Sequence, residues 1–180
     1  LAARIKAIQA RKGPPAKGQD ILLSVINDGR KSAIDMRLID RNAPKEDTKL
    51  EALISNVFRI WKESKRAGFH GVEGKGYTKD PVDYGPAAQM IFSGVGVNAS
   101  ENGISVHDYI RAQLMQRGIP AREIALIGDY NNHVKKQRLF NDVNEGKVRI
   151  LIGSEDKMGT GVNAQTRLIA NHNLDAQWYP

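Results

Sequence analysis

The stretch VRILIGSEDKMGTGVN, residues 148–163, decides how this chain is read. Val148–Ile152 is a short run of branched apolar residues, the pattern of a strand covered on both faces. Gly153–Asn163 then turns polar and carries glycines at 153, 159 and 161. Small residues let a backbone approach a ligand, and exposed amides can hold phosphate oxygens. The segment therefore reads either as a polyanion-binding loop at a strand end or as an ordinary tight connection. Upstream, Asn131 or Asn132 caps a helix that runs to about Asn144 and is closed by Gly146. Ile124–Ile127 is a second buried strand. A helix starts at Ser105-Val106-His107-Asp108 and ends at Gly118, and Ala88–Phe92 is a further strand. Downstream, Arg167–His172 makes a fourth. Strands alternating with helices predict β-α-β units and a mostly parallel sheet. Ligands of such sheets bind at the carboxyl ends of the strands, so the loops after Phe92, Ile127 and Ile152 carry the interest.

Before Ala87 the pattern is less regular. Thr48 and Glu51 fit a capping box, and Leu50, Leu53, Ile54, Val57, Phe58 and Trp61 follow at helical spacing. Residues 68–86, rich in glycine and charge, read as a loop. Leu1–Lys12 reads as a short helix ended by Gly13-Pro14-Pro15. Ile21–Ile26 is an apolar run of strand character followed by the turn signal Asn27-Asp28-Gly29. Lys31–Asp40 reads as helical, with Ile34, Leu38 and Met36 packed, and Asn42-Ala43-Pro44 breaks it.

The chain has 180 residues, 41% of them hydrophobic and 26% charged, with a net charge of +7. These proportions are those of a globular domain. Cysteine is absent, which excludes a disulfide scaffold, a zinc–cysteine module and a thiol nucleophile. No apolar run of about 18 residues predicts a membrane span, and no signal peptide is seen, so the expected compartment is cytoplasmic. Residue 1 is Leu rather than Met, which predicts a piece of a longer protein. Residues 1–85 hold 17 lysines and arginines against 11 acids, a net of +6, leaving +1 for the remainder. Arg4, Lys6, Arg11, Lys12 and Lys17 come before any acid. Such a cluster reads as a phosphate-backbone contact or as a solvated helix face.

Several chemistries are missing. No G-x-x-x-x-G-K-[ST] P-loop is present, and Gly71-Val72-Glu73-Gly74-Lys75 lacks its spacing and hydroxyl. Gly94-Val95-Gly96 follows a strand without the third glycine of a dinucleotide fingerprint. His70, His107, His133 and His172 have no partner at metal-ligand spacing and read as surface or packing residues. Ser154 follows Gly153, but no G-x-S-x-G nucleophile elbow is formed.

Ser154, Gly159, Gly161 and Asn163 resemble motif five of superfamily-two helicases, in particular the Swi/Snf-type DNA translocases. Asp175, Trp178 and Pro180 fall in register with the family's downstream D-x-x-W-x-P. Met90-Ile91-Phe92-Ser93 resembles motif four, and Lys49-Leu50 the family's entry to its second RecA-like domain. Asp28-Gly29-Arg30-Lys31 through Met36-Arg37-Leu38, with Lys157-Met158-Gly159-Thr160-Gly161, resemble the helicase-methylase proteins of phages and plasmids. Glu155 and Met158 depart from the motif-five pattern, standing where the family usually has Thr and often a further Gly.

The resemblance implies a three-layer α/β fold of the RecA-like, P-loop NTPase type. Residues 1–46 would form a basic, partly helical extension, and residues 47–180 the domain itself, truncated before the arginine-bearing motif six. It implies an ATP-dependent motor acting on DNA. Gly159, Thr160, Gly161 and Asn163 would lie toward the ATP cleft, and Ser93, Ser154 and Lys157 toward the DNA strand. Asp175 and Trp178 would position the motifs. ATP and Mg2+ would be bound by the full-length parent, with a first RecA-like domain of the same chain as partner, and DNA methylase sequence is a possible attachment. The fragment alone would hold no cofactor and carry no catalytic residue of its own. A non-catalytic nucleic-acid-binding module with a degenerate helicase-like fold is the alternative.

Overall fold

The structure is a computed structural model and describes residues 1–99, 101–158 and 163–175. The helices are α1 (Ala2–Ala10), α2 (Leu22–Ile34), α3 (Lys49–Glu63), α4 (Val106–Gln116), α5 (His133–Asn144) and the single turn α6 (Glu155–Met158). The strands are β1 (Ala67–Phe69), β2 (Val72–Glu73), β3 (Gly76–Tyr77), β4 (Asp83–Gly85), β5 (Ala88–Phe92), β6 (Ile124–Leu126), β7 (Ile150–Gly153) and β8 (Leu168–Asn173). The chain is α/β, built on a four-stranded sheet of order β6-β7-β5-β8 in which every pairing is parallel.

Side-chain alternation along each strand feeds two cores. Ile91, Ile124, Leu126, Ile150 and Ile152 point to one face, where Leu50, Ile54 and Val57 of α3 and Ile110 and Leu114 of α4 cover them. Met90, Ala125 and Leu151 point to the other, beneath Leu139, Phe140 and Val143 of α5. Each fully buried Leu or Ile contributes about 1.5–3 kcal/mol relative to exposure. Three helices start on side-chain caps. Thr48 Oγ1 accepts from the Glu51 amide (3.2 Å), Ser105 Oγ from the Asp108 amide (3.3 Å) and Asn132 Oδ1 from the Lys135 amide (2.8 Å). Each cap is worth about 1 kcal/mol.

Thr48 and Glu51 complete only half of a capping box. Glu51 instead accepts from Arg37 Nη2 (2.9 Å) and from the Tyr109 hydroxyl (2.6 Å). Arg37, in a short 3₁₀ turn over Met36–Leu38, also grips Asp35 through Nε (2.9 Å) and Nη2 (2.5 Å). The bond to Asp35 pushes the buried guanidinium up, outweighing the opposite effect of burial. Burial alone would raise the Asp35 carboxyl, but the bonds from Arg37 hold it below the usual carboxylate range.

Two stretches depart from the reading above. Ile21–Ile26 is not a strand, because α2 runs from Leu22 to Ile34 straight through Asn27-Asp28-Gly29. Tertiary contacts override the turn signal: Asp28 is bonded by Arg4 Nη1 (2.8 Å), and Val25 and Ile34 are buried. Met36 is largely exposed, whereas Ile34 and Leu38 join the α3–α4 core. Residues 68–86 are not a plain loop but two antiparallel hairpins, with β2–β3 carried between β1 and β4. Gly74 turns the inner one at φ 62°, a conformation that glycine adopts without strain. Among the described residues no helix is long and apolar enough to cross a membrane.

Candidate functional site

The strand order creates one topological switch point. From β5 the chain crosses by α4 on one face to the edge strand β6, and α5 on the opposite face returns it to β7. From β7 it passes to the other edge, β8. Neighbouring strands β5 and β7 therefore send their chains in opposite directions, the arrangement at whose carboxyl ends parallel sheets commonly bind ligands.

Short hydrogen bonds stitch this end of the sheet together. The Ser93 amide donates to the Gly153 carbonyl (2.9 Å), and the Leu174 amide to the Phe92 carbonyl (3.0 Å). The Gly94 amide donates to Asp175 Oδ1 (3.1 Å), and Arg30 Nη2 lies 3.3 Å from Asp175 Oδ2. Lys49 Nζ donates to the Leu174 carbonyl. His107 Nε2 donates to the Ser93 carbonyl (3.1 Å) from a buried position, and that burial pushes its imidazole below its ordinary value. Lys157, which is exposed, and Asp175 act on this imidazole in opposite senses, the lysine lowering it and the carboxylate raising it.

Four of the residues singled out from sequence thus gather at one end of the sheet: Ser93, Ser154, Lys157 and Asp175. Ser93 is fully buried and its hydroxyl donates to the Val95 carbonyl (3.0 Å), so it fixes the exit of β5 rather than facing outward. Ser154 is half-buried at the end of β7. Asp175 ties the loop after β5 to α2 through Gly94 and Arg30. Asn163 is not with them. Its carbonyl accepts from Asn144 Nδ2 (2.7 Å) at the last residue of α5, on the side of the sheet where β7 begins. Gly159, Thr160, Gly161 and Trp178 lie outside the described residues.

Sequence reasoning missed Arg30, Lys49 and His107 as members of this cluster. Arg30 and Lys49 belonged to stretches quoted for their resemblance, but no local pattern tied either to Asp175 or Leu174. Nothing local distinguishes His107 from the other three histidines.

The described residues do not make a nucleotide site by themselves. Gly153 could have cradled a phosphate, but a Cβ there would meet Ile127 Cγ2 at 2.3 Å and Met158 Sδ at 2.9 Å. Its missing side chain thus makes room for core packing. Among the described residues no three His, Cys, Asp or Glu side chains come together in a way that could hold a metal ion.

The basic N-terminus is partly spent internally. Arg4 bonds Asp20 and Asp28, and Arg11 Nη1 donates to the Asp20 carbonyl (2.8 Å). Comparison with family models, with curated proteins and with solved structures finds no match for this chain.

Proposed function

We propose that the chain is the second, RecA-like lobe of an ATP-dependent DNA translocase or helicase, without turnover of its own. One observation carries the reading. Three stretches that resemble separate motifs, around Ser93, Ser154 and Asp175, meet at the single switch point of a parallel sheet, joined by the Ser93–Gly153 and Gly94–Asp175 hydrogen bonds. At that end Lys157 and Ser154 offer a cation and a hydroxyl for a DNA phosphate, and Ser93 and Asp175 hold the loops in place. On this reading Gly159, Thr160 and Gly161 contribute to an ATP cleft shared with a first lobe of the longer chain, and no step is assigned to this lobe alone.

The test has two arms. The 180-residue chain is expected to bind DNA with salt-sensitive affinity and to show no ATP turnover, with or without DNA. A longer chain holding both lobes is expected to hydrolyse ATP when DNA is added and to lose turnover on Gly161→Asp. DNA-stimulated turnover by the 180-residue chain, or a longer chain with no P-loop, overturns the reading. Salt-sensitive DNA binding with no ATPase in the longer chain would select a non-catalytic nucleic-acid-binding module instead.

A further inference from the structure

The two hairpins lie at the opposite end of β5 from Ser93. They leave the C-terminus of α3 and re-enter the sheet at Ala88, and the Ala87 amide donates to the Ser64 carbonyl (3.0 Å). Five residues of strand, about 16 Å, separate the two ends. A freestanding hairpin of this size would be marginal, but this one is clamped at its base. The Thr78 amide donates to the Gly71 carbonyl (2.9 Å), the Gly71 amide to Thr78 Oγ1 (3.0 Å), and Thr78 Oγ1 to the Asp80 carbonyl (2.8 Å). The Val82 amide donates to the Phe69 carbonyl (2.9 Å).

The clamped hairpin displays residues that folding alone would bury. The cross-strand partners Val72 and Tyr77 are 77% and 79% exposed, and Tyr84 is 56% exposed. Lys75 and Lys79 flank Tyr77, and neither makes an ion pair among the described residues. The Arg66 guanidinium sits 5.7 Å from the centre of the Tyr84 ring. The acids here are Glu73, Asp80 and Asp83, and the last is neutralised by Arg167. What remains is one open ring, Tyr77, between Lys75 and Lys79, with Glu73 and Asp80 as the neighbouring acids.

We propose that this hairpin is a second nucleic-acid contact and takes single-stranded DNA, with an unpaired base stacked on Tyr77 and the neighbouring phosphates on Lys75 and Lys79. Aromatic faces interleaved with cations recognise unpaired strands without regard to sequence, whereas a duplex offers no free base face. The choice of DNA rests on the motor reading above; the stacking and the charge do not.

The test measures binding of a labelled oligo-dT to the 180-residue chain across a salt series, beside a duplex of equal length. Tyr77→Ala is expected to weaken oligo-dT binding roughly 5- to 150-fold and to leave duplex binding nearly unchanged. Tyr77→Phe should keep the affinity, and Tyr77→Leu, apolar but without a ring, should not. Lys75→Ala with Lys79→Ala should lower the salt slope by about 1.4. Oligo-dT binding unchanged by Tyr77→Ala, or binding of this surface to a protein and not to the oligonucleotide, overturns the proposal. Lys157→Ala separates the two readings. If it weakens DNA binding and the hairpin variants do not, the switch-point reading survives and the hairpin falls; the converse result spares only the hairpin.

Discussion

The Asp175 carboxylate accepts the Gly94 amide hydrogen at 3.1 Å across 81 residues of chain. Its second oxygen takes the Arg30 guanidinium at 3.3 Å, with only 11% of the Asp175 side chain exposed. Removing a mostly buried charged acceptor leaves the Gly94 amide without this bond and takes one ion pair from Arg30. Asp175→Ala is expected to cost about 1–3 kcal/mol in urea unfolding. Asp175→Asn keeps an oxygen for Gly94 and should cost less. Equal losses for the two variants would show that the pairing with Arg30 matters, and the Gly94 bond does not.

Gly153 ends β7 where any side chain would strike Ile127 and Met158. Gly153→Ala is expected to destabilise by about 1–3 kcal/mol through overpacking. Ile127→Ala in the same chain should recover part of this, so a double-mutant cycle should report coupling between the two sites. Strict additivity would mean that β7 shifts freely to accept the methyl group.

Arg37 holds two carboxylates and a hydroxyl together, with 7% of its side chain exposed. Arg37→Met leaves Asp35 buried without its cation, and the expected loss is about 3–5 kcal/mol. Arg37→Lys should restore little, because an ammonium cannot reproduce the two-pronged grip on Asp35. Unfolding midpoints of the two variants, with Glu51→Gln as a milder probe, check this. A Lys variant as stable as the wild type would sink the argument.

Burial pushes His107 and His172 below the ordinary value of 6.5. As pH falls through 6.5 the unfolded chain takes up these protons first, while the folded chain resists. Stability contributed by the neutral folded rings is therefore present above that pH and is lost below it. The expected slope is at most about 1.4 kcal/mol per pH unit for each histidine. Urea unfolding at pH 7.5 and 5.5 should show the fall, and His172→Gln, which removes one ionisable ring beside Gln89, should flatten it. A chain that gained stability on acidification in this window would contradict the assignment.

The parallel sheet was legible because β5, β6 and β7 are continuous apolar runs separated by helices with recognisable caps, and Asn132 and Ser105 cap where their side chains predict. Helix α2 was not legible, for a physical reason. Most of its large apolar residues crowd into its cap and first turns, Ile21, Leu22, Leu23, Val25 and Ile26, directly before the turn signal Asn27-Asp28-Gly29, which hides the helical period. Leu22, Leu23 and Ile26 remain substantially exposed and imitate a strand. The hairpins escaped because their strands are two or three residues long and bury almost nothing. At the candidate site, Ser154 and Asp175 were named only through a family resemblance. The bonds of Asp175 to Gly94 and Arg30 depend on strand order, which no local pattern encodes. Asn163 shows the same limit, since its position follows from the path back to β8 and not from its neighbours.

Ile34, Leu38 and Arg37 work as a stopper. Ile34 and Leu38 seat in the same core as Leu50, Ile54 and Val106, Arg37 is buried among Asp35, Glu51 and Tyr109, and Leu38 stands 3.4 Å from where a Cβ on Gly96 would be. A chain begun at residue 47 would keep every strand and yet leak, with water admitted between α3 and α4 and the Glu51 carboxylate and Tyr109 hydroxyl facing an empty seat. The cheaper place to open the molecule is the turn at Gly13 and Gly18, where φ is 98° and 86° and nothing crowds either residue. Severing there gives up little beyond α1 and its partly exposed Arg4 pairs with Asp20 and Asp28.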